Sequence, residues 1–149
     1  MVFIIQDDYL FSQYMKMVLN SNKSPEELLQ EEFLQEKAAV LGRAGDSVSK
    51  ALERLQVIEN SLKERLSRLK DIERSIRQDS SGINRIGGLR RQMMTEINKE
   101  INKYNRAREY ASTRYYYLIV TREAMGMRRH HWMEQHYRVP PRKKHLRDD

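Results

Sequence analysis

Leu34, Leu41, Val48, Leu55, Leu62, Leu69, Ile76 and Ile83 recur at intervals of seven, so a single apolar seam runs through the first half of the chain and calls for a coiled-coil helix. Ala51, Ile58 and Ile72 supply the second core position, and Leu52 and Leu66 widen the stripe. A stripe this wide suits a helix buried against more than one neighbour. In the second half Ile97, Tyr104, Ala111, Leu118, Met125 and Trp132 repeat the interval, with Met94, Ile101 and Tyr115 broadening the face.

The punctuation between the seams is explicit. Ser24-Pro25-Glu26-Glu27 is a helix start, because Ser24 can cap free amides, Pro25 fits the first helical position and Glu27 completes a capping box. Gly42 and Gly45 each cost about 1 kcal/mol relative to Ala in a helix, which marks 42–46 as the place for a kink or short break. Asp79-Ser80-Ser81-Gly82, followed by Gly87-Gly88, collects turn formers where the chain reverses. Pro140-Pro141 forbids helix beyond that point.

These signals predict an all-α fold: a long antiparallel helical hairpin with a short N-terminal helix packed at its open end and a flexible basic C-terminal tail. One elongated helical domain spans 1–149, divided into an N-terminal segment (1–22), a first long helix (25–78), a turn (79–88), a second long helix (89–138) and the tail (139–149). Pairing outward from the turn sets Leu69 against Met93, and Ala51 or Leu55 against Ala107, so that large residues face small ones. Phe3, Phe11 and Phe33 are expected to pack against Met125 or Trp132 at the base.

Charge divides unevenly along this frame. Residues 1–79 carry 12 Lys/Arg against 14 Asp/Glu, and residues 80–149 carry 16 against 7, so the net charge of +7 arises from a basic second half. Such asymmetry points to an acidic partner. The chain has no cysteine, which excludes disulfides, thiolate metal sites and cysteine nucleophiles. The apolar run Met-Val-Phe-Ile-Ile at the start is too short for a signal-peptide core or a membrane span, and a cytoplasmic protein is expected.

No constellation identifies a reaction. His130, His131, Glu134 and His136 have a metal-like flavour, but His131 points about 100° away from His130 on a helix and three ligands do not converge. The glycines of 82–88 lack the preceding strand and following Gly-Lys-Ser/Thr of a phosphate-binding loop. No catalytic residue, cofactor or metal is therefore expected, and the chain is not expected to be an enzyme.

What remains is a surface. Tyr115-Tyr116-Tyr117 cannot all face one seam. The stretch 122–147 interleaves eight Lys/Arg with Met125, Met127, Trp132, Met133 and Tyr137. The partner-binding residues expected are Tyr116, Tyr117, Ile119, Arg128, Arg129, Trp132, Tyr137, Arg142, Lys143 and Lys144. They suit a non-enzymatic coiled-coil interaction protein, an adaptor, stalk or helical chaperone that docks on a larger assembly by helix addition. The alternative is a nucleic-acid-binding module in which the basic C-terminal region contacts phosphates. A membrane surface fits less well, and two hairpins associating with each other is a further arrangement such a stripe permits.

Overall fold

The computed structural model describes residues 11–16, 19, 22–78 and 83–148. Among these the elements are helices α1 (Pro25–Gln78), α2 (Ile83–Ala124) and α3 (His131–His136), with no strand. The chain falls into two compact units, 1–42 and 43–149.

In the first unit residues 11–16 are helical; the rest of the expected N-terminal helix, and Phe3, lie largely outside the described residues. Phe11 and Phe33 are exposed, as is Trp132 in the second unit. The capping box forms as the sequence requires: the Glu27 amide donates to Ser24 Oγ at 3.2 Å, and the Ser24 amide donates to a Glu27 carboxylate oxygen at 2.8 Å. Helix α1 then continues through Gly42 and Gly45 without a break.

In the second unit α1, from residue 43 onward, packs antiparallel on α2. The seam holds the expected residues: Val48, Leu55, Leu62 and Leu69 from α1, and Ile97, Tyr104, Ala111 and Leu118 from α2, are all buried. Arg65 meets Glu96 at 3.6 Å and Arg90 meets Glu73 at 3.3 Å, which sets the strand of pairs at or within two residues of the register anticipated from the turn. Gly87 and Gly88 fall inside α2, which begins at Ile83 and not at residue 89.

Helix α2 ends well before residue 138. Gly126 adopts φ +85°, a left-handed conformation that costs any other residue energy. Its amide donates to Glu123 O at 2.9 Å while the Met127 amide donates to Arg122 O at 2.9 Å, the two bonds of a Schellman termination. Helix α3 follows after a six-residue connection, 125–130, and Tyr137 comes to lie on Gly45, where an added Cβ would stand 2.9 Å from the Tyr137 hydroxyl. Glycine at position 45 is thus a close-approach site, a reason unrelated to helix breaking.

The largest departure concerns the tail. Residues 138–148 have no helix or strand of their own, yet they are not free. Arg108 Nε donates to Pro140 O at 3.0 Å, the Tyr104 hydroxyl donates to Pro141 O at 3.4 Å, and further bonds follow at residues 143, 145 and 146 before Asp148 reaches Arg90. From Arg108 back to Arg90 is about 27 Å of helix axis at 1.5 Å per residue. Eight residues cover that distance only when extended, at about 3.3 Å each. The segment is a strap laid antiparallel along α2, and the expectation of a flexible tail is corrected. Pro140-Pro141 excludes helix, but order needs only that the backbone groups find partners, which side chains of α2 supply.

Candidate interaction surfaces

Two packed helices leave a groove on either side of their seam, and here the two grooves differ. Successive residues of a helix are separated by about 100°, which puts Asn98, Asn102 and Asn105 on one flank of α2 and Lys103, Arg106 and Tyr110 on the other.

The strap fills the first groove. Asn105 Nδ2 donates to Lys143 O at 3.0 Å while the Lys143 amide donates to Asn105 Oδ1 at 2.9 Å. Asn98 repeats the arrangement three strap residues later, its Nδ2 3.1 Å from Leu146 O and its Oδ1 2.8 Å from Leu146 N. The side chains between and beside these clamps are also seated. Lys143 Nζ lies 3.1 Å from Glu59 on α1 and 4.8 Å from the centroid of the Tyr104 ring. His145 Nε2 is 2.7 Å from Asn102 Oδ1, and Leu146 packs on the core formed by Leu55, Leu62, Ile97 and their neighbours. Burial beneath the strap pushes the Tyr104 phenol above its ordinary value, a rise that neighbouring Lys143 partly opposes.

The second groove is open. It forms a cleft of about 420 Å³ whose floor is Ala51, Ile58 and Ala107 and whose rim is Arg54, Lys103, Arg106 and Tyr110. No carboxylate lines it. Lys103 has Glu100 at 3.7 Å, whereas neither Arg54 nor Arg106 has an ion-pair partner among the described residues. Further along the same flank Arg114 lies 4.8 Å from the Tyr110 ring centroid and 6.0 Å from that of Tyr117, so the rim continues as alternating cations and aromatic rings.

The residues singled out in the sequence are scattered across this unit. Tyr116 and Tyr117 are exposed on α2 and Ile119 is half-buried there. Arg128 and Arg129 occupy the connection after Gly126, where Arg122 donates to Arg129 O at 3.1 Å. Trp132 is exposed on α3. Tyr137 is half-buried against Gly45. Arg142, Lys143 and Lys144 belong to the strap, where Arg142 has Glu109 at 3.5 Å and Lys143 is engaged as described. They do not form one patch, and none of them lines the open cleft. Sequence reasoning missed Arg54, Lys103, Arg106 and Tyr110 because it looked for cations at the basic end and not along a flank of the seam.

His130 Nε2 is 3.2 Å from a Glu123 oxygen, and among the described residues no three potential metal ligands converge. No described helix is long and apolar enough to cross a membrane. Comparison with protein-family models, curated proteins and solved structures finds no match.

Proposed function

We infer that the chain is a non-enzymatic interaction protein whose hairpin takes an acidic, amphipathic helix of a protein partner into the open groove between α1 and α2. The observation that supports this is the contrast between the grooves: one is filled by the strap, and the other keeps an apolar floor and a cationic rim on which Arg54 and Arg106 have no ion-pair partner among the described residues. Small residues at Ala51 and Ala107 allow a third helix to approach closely, and a helix laid there completes a three-helix bundle. Its apolar face would cover Ile58 and the alanines, while its carboxylates would meet Arg54, Lys103 and Arg106. Charge of one sign around a low-dielectric cleft speeds such an encounter and selects the partner.

The nucleic-acid alternative has less support at the C-terminal region, since Lys143 is held by Glu59 and Tyr104 and Arg142 stands beside Glu109. A direct comparison separates the two readings. A labelled 21-residue acidic amphipathic model peptide and a mixed-sequence single-stranded oligonucleotide of equal charge are titrated with the full chain at about 0.1 M and about 0.5 M salt, where the Debye length falls by about half. The peptide is expected to bind at the lower salt and to lose at least about tenfold in affinity on Arg54→Glu with Arg106→Glu, equivalent to 1.4 kcal/mol. Binding of the oligonucleotide alone replaces the proposal with the nucleic-acid reading, and binding of neither removes the open groove as a docking site.

A further inference from the structure

The strap shows what its groove recognises, and most of that recognition does not depend on the strap's own sequence. Asn98 and Asn105 each take both the N–H and the C=O of a single residue. Seven residues of helix advance about 10.5 Å, and three residues of extended chain advance about 10 Å. Two asparagines seven apart on α2 therefore form a ruler for every third residue of an extended backbone. Asparagine is a poor helix former that tends to divert nearby backbone bonds, and Asn105 is a buried polar side chain in the middle of α2. The clamp accounts for its presence there. Selectivity comes from two seats: a cation seat made by Glu59 and the face of Tyr104, and an apolar seat where Leu146 meets the core.

We propose that this flank of α2 is a binding site for an extended peptide of another protein, carrying a cation and, three residues further on, a leucine-sized apolar side chain, and that residues 140–148 occupy it in cis as a displaceable stand-in. All the site's parts belong to α1 and α2, and the hydrogen bonds that hold the strap come from side chains of these two helices and not from secondary structure shared with it. A tethered occupant acts at an effective concentration in the millimolar range for a short link, so an outside peptide binds only to the fraction of molecules whose strap has lifted. This inference does not depend on the reading of the open groove, which lies on the other flank of α2.

The test keeps the full chain and weakens only the stand-in. Lys143→Pro with Leu146→Pro removes the two N–H donors that the asparagines accept and both seated side chains, leaving the groove itself unaltered. A fluorescein-labelled peptide with the sequence of residues 138–148 is titrated into wild type and variant. The expected result is at least about tenfold tighter binding to the proline variant, abolished when Asn98→Ala and Asn105→Ala are added and when the peptide carries Asp in place of Leu146. Unchanged helical circular dichroism shows that the hairpin is intact. If the helical signal falls, the same peptide in millimolar excess over the wild-type chain is expected to speed amide hydrogen exchange at Lys143 and Leu146, because it captures the lifted state. The proposal is overturned if a fully helical variant binds no peptide, if binding ignores the loss of the asparagines, if the excess peptide leaves those two amides unchanged, or if two copies pair by exchanging straps and the peptide does not compete.

Discussion

Removing Asn105 should loosen the strap by an amount that the geometry allows to be estimated. Asn105→Ala deletes two hydrogen bonds, at 2.9 and 3.0 Å, to the N–H and C=O of Lys143. A net contribution of about 1 kcal/mol for each gives about 2 kcal/mol. That corresponds to roughly a thirtyfold rise in the equilibrium between lifted and seated strap. The global melt is a poor reporter, because opening of this segment is a local event with its own free energy. Hydrogen exchange read by nuclear magnetic resonance is the appropriate assay, and the informative amide is that of Leu146, which keeps its own acceptor on Asn98 at 2.8 Å. If the strap seats as one unit, Leu146 loses protection by about the same thirtyfold factor although nothing next to it has changed. Loss confined to Lys143, with Leu146 as protected as before, would refute the reasoning and show two independent clamps.

The two glycines of α1 should respond oppositely to the same substitution. Gly42→Ala meets nothing within 4 Å and is expected to stabilise by about 0.5–1 kcal/mol, whereas in Gly45→Ala the new Cβ falls 2.9 Å from the Tyr137 hydroxyl, offsetting that gain. Urea unfolding of both variants, with Gly45→Ala repeated in a Tyr137→Phe background, should restore most of the difference; equal stabilisation at both positions without that change would contradict the packing. Alkaline titration offers a third check. Burial raises the Tyr104 phenol, and the Tyr115 phenol beside Glu134 is raised for the same reason, so the folded chain holds these protons more tightly than the unfolded one. Their contribution to stability should be complete below about pH 10, the ordinary tyrosine value, and decline as the pH rises above it. Absorbance titration near 295 nm should show phenol ionisation extending above the ordinary tyrosine range, and Tyr104→Phe should remove part of both this late ionisation and the stability loss.

The hairpin was legible because its determinants are periodic and local. Leu55, Leu62 and Leu69 opposite Ile97, Tyr104 and Ala111 state the seam, and Ser24 with Glu27 states its beginning. The end of α2 was also written in the chain, as Gly126 after Arg122 and before Arg128 and Arg129, but apolar residues at Met125 and Trp132 carried the interval of seven past it. A periodic pattern continued by chance outweighed a termination signal that depends on a single residue. The strap was missed for a different reason. An extended segment without a ladder of its own has no periodicity to detect, and Pro140-Pro141 excludes helix without implying freedom. The signal lay elsewhere, in Asn98, Asn102 and Asn105, a run of poor helix formers on one flank of an otherwise favourable helix.

The paired asparagine bonds have a consequence for direction. In an extended residue the N–H and C=O point to the same side, and a carboxamide presents one donor and one acceptor side by side. Rotating that amide by half a turn exchanges the two, so a chain running the opposite way meets the same pair of complementary groups. The clamp therefore measures spacing without registering polarity. Which end enters first is decided by the order of the seats, the cation against Glu59 and Tyr104 and the leucine toward the tip, and a peptide with those two side chains transposed should lie in the groove reversed.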